Sequence, residues 1–265
     1  MSINIGFICP TYQAKALHAY TEAALRSFFA TTPGGTAIVV DDGTPGWTSE
    51  YEAKLGNIAA DCLGELHLYH FPKQLGLTRS WNKGLAIADK LNLDYCIAGN
   101  NDVIFTTNWH QGMLHALGSG YTMVGPLSNA PGITAKGKQE VVKYFPQYKV
   151  TDDLDYLDLV ADDLHKKHLG KVVESPVNGF FQMQSMKSWR ENKYAPNEYY
   201  KAVNNFTSKG RKNLTPHTTL NEDEYQGRLR AKKKKMAIVL SSFIFHYRAV
   251  TRGDKYKRGQ WYRQK

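Results

Sequence analysis

The chain has 265 residues, enough for one substantial core, and its 42% apolar and 22% charged content is ordinary for a globular protein. No apolar run approaches the roughly 20 residues that cross a bilayer, and residues 1–10 lack the basic region and cleavage site of a secretory leader, so a cytoplasmic location is the default expectation. The formal net charge of +10, gathered mostly after residue 200, suits an anionic partner, whether a diphosphate, a phospholipid surface or a nucleic-acid backbone.

In chain order, residues 4–9 and 37–40 are short, apolar and β-branched, the pattern of buried parallel strands. Residues 66–71, 95–98 and 121–124 supply three further strand candidates. Helical spacing falls between them. Leu17, Tyr20, Ala24, Leu25 and Phe28 share one face, Trp81, Leu85, Ala88 and Leu91 another, and a third helix is expected near Trp109–Leu117. Strands alternating with helices predict right-handed crossovers and an α/β fold with a mostly parallel central sheet flanked by helices. Of the three cysteines, Cys9 and Cys96 lie in strand-like runs and read as small buried hydrophobes, and Cys62 has no Cys-x-x-Cys partner.

The rhythm changes after Gly125-Pro126. A loop rich in Gly and Pro runs to about Gly137, and Thr151 is then expected to cap a helix that starts with Asp152, Asp153 and Asp155 and ends with Lys166, Lys167 and His168. Leu154, Leu157, Val160, Ala161 and Leu164 form its predicted buried stripe. Residues 177–183 read as a strand, 192–220 as a mobile loop over the site, 222–231 as a helix, and 236–240 with 243–245 as two closing strands.

Ligands of such sheets sit beyond the carboxyl ends of the strands. Pro10-Thr11, Asp41-Asp42 and Asn100-Asn101-Asp102 each follow a predicted strand, so all three should line one crevice. Each also has a plain reading. Pro10-Thr11 ends a strand, Asp41-Asp42-Gly43 makes a turn, Asn100-Asn101-Asp102 makes a polar turn, and Glu222-Asp223 starts a helix. The informative feature is their order.

In that order the chain resembles glycosyltransferase family 2, the inverting group with the GT-A (Rossmann-like) fold, from about Ile3 to Arg252 and thinly between 130 and 220. The resemblance is carried by Pro10-Thr11-Tyr12-Gln13, Asp41-Asp42-Gly43-Thr44, the Gly76 to Gly84 segment with Arg79 and Asn82, Asn100-Asn101-Asp102, Glu222-Asp223 with Arg228-Leu229, and His246. The family's metal motif is usually Asp-x-Asp. The Asn at its first position here, with Gly125-Pro126-Leu127-Ser128-Asn129, is similar to rhamnosyltransferase-like members.

The resemblance implies one domain over 1–265: a nucleotide-sugar-binding half (1–125), an acceptor-binding and catalytic half (126–246) with a small C-terminal acceptor-side region, and a basic tail (247–265). It assigns the donor to Pro10, Thr11, Tyr12, Asp41, Asp42, Arg79, Asn82 and Asn101, and the acceptor to Asn178, Gly179 and Glu222. Mn²⁺ or Mg²⁺ falls to Asp102 and His246, and the general base to Asp223. The implied reaction moves a sugar from a UDP- or dTDP-sugar to a hydroxyl of a glycan or lipid-linked acceptor. Arg248 and Arg252 read either as phosphate clamps or as a solvated tail, and the tail as a contact to an anionic membrane.

Two other readings have features of their own. A nucleotidyltransferase needs a Gly-rich or cationic loop after the first strand, and Pro10-Thr11-Tyr12-Gln13 offers neither. A nucleic-acid-binding module working through Tyr256, Trp261 and Tyr262 leaves the acidic crevice unexplained, so nucleic acid is not the expected partner.

Overall fold

The computed structural model describes residues 3–12, 18–131, 139–149, 151, 153–202 and 221–247. The tail from Arg248, the Lys209–Lys212 cluster, Gln13, Leu17 and Asp152 therefore lie outside the described residues.

Strand β1 (Ile5–Thr11) is buried at every position, as a strand covered on both faces must be. Its odd-numbered residues Phe7 and Cys9 join one core cluster, and Ile8 joins the other. Strands β2 (Thr36–Asp41), β3 (Glu65–His70) and β4 (Tyr95–Gly99) complete a parallel half in the order β3-β2-β1-β4. Helices α1 (His18–Thr31) and α2 (Ser49–Asp61) contribute to the first cluster, and α3 (Leu77–Lys90) to the second.

The sheet continues as β8-β6-β9 and is mixed there. Strand β8 (Phe181–Ser185) runs antiparallel to both β4 and β6 (Met123–Leu127), and β9 (Met236–His246) runs parallel to β6. Two short strands, β5 (Val103–Phe105) and β7 (Val172–Glu174), pair antiparallel with β9 and carry too few residues to leave a period in the sequence. Helix α4 (Trp109–Gly118) covers β9 on the first face, and α6 (Leu154–His168) on the other. Short helices α5 (Val141–Tyr144) and α7 (Met186–Glu191) precede α8 (Asn221–Ala231). Among the described residues no helix is long and apolar enough to cross a membrane.

Four expectations need correction. The two closing strands are one, β9, whose register against β6 shifts between Pro126 and Leu127; this irregularity turns its second half onto β5. The strand expected over 177–183 starts only at Phe181, because the backbone of Val177 pairs with the side chain of Gln226 instead of a neighbouring strand. The cap of α6 is Asp153, whose carboxylate accepts from the amides of Asp155 and Tyr156, while Thr151 accepts from the amide of Asp153. Leu154 is exposed, and the remaining four residues of that stripe are buried.

Register fixes what the sheet presents. Thr11 pairs with Asp41, Asp41 with His70, and Gly99 with Phe181. The carboxyl ends of β1, β2, β3, β4, β6 and β9 therefore share one edge with the amino end of β8.

Candidate active site

At that edge β4 ends and the turn Asn100-Asn101-Asp102 leads into β5. The β5–β9 pairing sets Val103 opposite His246, and the amide of Tyr247 donates to the carbonyl of Asp102 at 2.9 Å. His246 Nε2 then stands 3.2 Å from Asp102 Oδ1, and both side chains are almost fully buried. The imidazole is held from several sides. Its Nδ1 faces the carbonyl of Ala130 at 2.7 Å, which requires a proton on that nitrogen. Its ring stacks on Phe180, 5.0 Å between centroids and 15° between planes. The side-chain amide of Asn129 accepts from the His246 backbone N–H at 2.8 Å and donates to its carbonyl at 3.1 Å, as a neighbouring strand would.

With Nδ1 protonated, the neutral ring directs its Nε2 lone pair at the carboxylate of Asp102. The Asn100 amide also approaches Nε2, at 3.2 Å, and can donate to it. Two electron-pair donors converging at 3.2 Å in a buried setting suit a cation, either a second imidazole proton or a divalent ion. The pair therefore fits Mn²⁺ or Mg²⁺ as two protein ligands. Among the described residues no group of three or more His, Cys, Asp or Glu side chains is placed to hold a metal ion. A bound diphosphate and water could supply further ligands. Burial, and secondarily the charge of Asp102, push the Cys9 thiol up, so the cysteine is an inert packing residue near the carboxylate.

Asp41 and Asp42, expected on the donor, hold the turn that ends β2 and the start of α3, and Asp41 also holds the His70 ring. Asp41 is fully buried. Its Oδ2 accepts from the amides of Gly43 and Thr44 at 3.0 and 2.9 Å and from His70 Nδ1 at 2.7 Å, and its Oδ1 from the hydroxyl of Thr44. Gly43 has φ of +75°, and a Cβ there would lie 2.3 Å from the Lys73 carbonyl carbon, so only glycine fits this turn. Asp42 Oδ1 accepts from the amides of Leu75 and Gly76 at 2.7 and 3.0 Å, tying the end of β2 to the start of α3.

Other expected donor residues are also built into the fold. Asn82 donates to the carbonyl of Tyr200 at 2.8 Å and accepts from the amides of Tyr199 and Tyr200 at 3.0 and 2.8 Å. That clip draws Tyr199 and Tyr200 into the core, within a stretch expected to be a loop over the site. Asn101, nearly buried, donates to the Thr21 hydroxyl at 3.0 Å. Arg79 donates to the Leu75 carbonyl at 3.1 Å. Pro10 and Thr11 are buried at the end of β1, and Tyr12 is exposed beyond them.

Of the residues expected to meet the acceptor, Asn178 accepts from the amide of Phe180 at 3.1 Å and its own N–H donates to Gln139 at 2.5 Å. Gly179 lies directly under Glu222: a Cβ on the glycine would stand 2.8 Å from the Glu222 Oε1. Contacts therefore run from Asp102 through His246 and Phe180 to Gly179 and Glu222, with Asp223 next along α8 and exposed. Asn129, Ala130, Phe180 and Gln226 were missed as supports of this arrangement. The Gly125 to Asn129 motif was the available signal for Asn129.

No protein-family model and no curated protein sequence matches the chain. Solved structures do. GalNAc-T7, crystallised with UDP, GalNAc and Mn²⁺, superposes with a TM-score of 0.55 at 12% identity, over 92% of this chain and 44% of that one. S. aureus TarS 1-349 superposes with a TM-score of 0.53 at 12% identity, over 92% of this chain and 60% of that one. The chain thus spans less than two thirds of either structure. The fold is the GT-A fold of glycosyltransferases.

Proposed function

We propose that the chain is an inverting glycosyltransferase, similar to family 2 and to its rhamnosyltransferase-like members, that moves a sugar from a UDP- or dTDP-sugar to a hydroxyl of a glycan or lipid-linked acceptor. The observation that carries this reading is the buried Asp102–His246 pair, with its imidazole proton fixed on the far nitrogen, at the ligand-binding edge of a GT-A sheet. Similarity in fold to a protein crystallised with UDP, GalNAc and Mn²⁺ supports the donor class.

In this reading residues 1–125 take the nucleotide half of the donor and 126–246 take the acceptor, within one domain. Asp41 and Asp42 act by shaping the turns on which Thr11, Tyr12 and Arg79 meet the nucleotide. Asp102 and His246 hold Mn²⁺ or Mg²⁺ when it is bound, and the ion would offset charge on the departing diphosphate. Glu222 and Gly179 border the acceptor, with Asn178 holding their loop. Asp223, exposed at the start of α8, takes the proton from the acceptor hydroxyl as that oxygen attacks the anomeric carbon. Its exposure suits a group that must meet an incoming acceptor. The basic residues after 247 bring the enzyme to an anionic membrane that carries a lipid-linked acceptor.

The test is Asp223→Asn. Transfer should fall by roughly 10²- to 10⁴-fold, the usual contribution of general-base catalysis, while the dissociation constant for the nucleotide stays within about twofold. Near-normal turnover by the variant would overturn the assignment.

A further inference from the structure

We propose that His70, braced by Asp41 and Trp47, is a nucleobase-reading element that takes a uracil or thymine base through its Nε2. The inference rests on the nucleotide-donor reading above and names the part of the site that selects the base.

His70 ends β3, in register with Asp41 at the end of β2. Its Nδ1 donates to Asp41 Oδ2 at 2.7 Å, and its side chain is 39% exposed while that of Asp41 is 0% exposed. Asp41 cannot meet a ligand directly, because the Gly43 and Thr44 turn and His70 occupy its oxygens and no surface of the residue is left open. The carboxylate acts at one remove. Holding the proton on Nδ1 leaves Nε2 of the neutral ring as an acceptor.

The ring is also held on its face. Trp47 lies nearly parallel to it, 25° between planes and 6.1 Å between centroids. The indole is in turn fixed by its N–H donating to Glu52 Oε1 at 2.6 Å and by an edge contact to Tyr51, 5.0 Å between centroids. A single exposed acceptor, fixed in direction before any ligand arrives, is the arrangement that recognition of one ring N–H requires. Uracil and thymine present N3–H between two carbonyls. Adenine and cytosine carry no ring N–H on that edge, and guanine brings a larger ring and an added amino group. His70 lies on the same sheet edge as Thr11, with Asp41 of β2 between them, and Asp102 follows β4 on the far side of β1, so a base at His70 with its phosphates running across β1 would point them toward Asp102.

Isothermal titration with UDP, dTDP, GDP, ADP and inorganic pyrophosphate, each with Mn²⁺, tests this on the full chain. Wild type should bind UDP and dTDP more tightly than GDP or ADP. His70→Ala should weaken UDP and dTDP by roughly tenfold, the scale of one hydrogen bond with its orientation, and leave pyrophosphate unchanged. His70→Gln, which keeps a donor for Asp41 and an acceptor, should recover part of the loss and shows that the position tolerates change. Unaltered UDP affinity in His70→Ala overturns the proposal, as does an equal loss for pyrophosphate, or a wild-type preference for GDP. A wild-type chain that binds neither nucleotides nor pyrophosphate overturns the donor reading and this subsite with it.

Discussion

Gly179 owes its place to a carboxylate. The Glu222 side chain lies so close that a Cβ at 179 would stand 2.8 Å from its Oε1 and 2.9 Å from its Cδ. The end of a glutamate side chain is flexible, so Gly179→Ala should displace the carboxylate at a cost below about 1 kcal/mol, the range of changes that strain no core packing. Transfer should fall severalfold while the melting temperature stays within a few degrees. Equal activity in the alanine variant would show that the position of Glu222 does not matter to the acceptor. At this scale the sequence was legible in residue type and less so in use. Asp41, Asp42, Asn82 and Asn101 were found as polar residues at strand and helix ends, and all four hold their neighbours in place. A side chain that holds backbone and one that meets ligand carry the same letter, and only the partners in the folded chain tell what each one touches. His70 passed unnoticed because a lone His at a strand end carries no spacing signal, and Asn129 was seen only as part of a motif, without its hold on His246.

Helix α8 carries Glu222 and Asp223, the two acids proposed to meet the acceptor, and its position depends on polar contacts more than on an apolar stripe. Gln226, nearly buried, accepts from the N–H of Val177 at 2.8 Å and donates to its carbonyl at 2.7 Å. Arg228 donates to the carbonyls of Asn192 and Tyr199 at 2.6 and 2.9 Å, and Tyr225 to Gln184 at 3.2 Å. Gln226→Ala leaves both backbone groups of Val177 without these partners. Stability should drop by about 1–3 kcal/mol, read as a melting point lower by several degrees, with a larger proportional loss of transfer than of UDP binding. A variant that melts with wild type would mean that α8 is held elsewhere. The element order up to β4 was largely readable, because buried parallel strands and amphipathic helices have strong periods. Helix α2 escaped that reading. Beyond β6 the polar contacts that replace period, such as Gln226 on Val177 and Asn82 on Tyr199 and Tyr200, span more than 40 residues and leave no local trace.

For the molecule as a whole, the parallel half of the sheet offers one edge, and the irregularity in β9 brings His246 to it from the other end of the chain. That register links Asp102 to His246 across 144 positions of sequence and sets Phe180, Gly179 and Glu222 along the same edge. Two glycosyltransferase structures superpose on this chain at 12% identity, so the fold can persist where few residues do. The central claim is that Asp102 and His246 form a cation site serving a diphosphate. Its most direct measurement is the dissociation constant of UDP or dTDP for wild type, Asp102→Ala and His246→Ala, with Mn²⁺ and with a chelator. The account predicts tight binding only for wild type with Mn²⁺, and for both variants a weak affinity that the metal does not change. Equal affinity with and without the chelator in wild type, or an unaltered Mn²⁺ response in both variants, would contradict it.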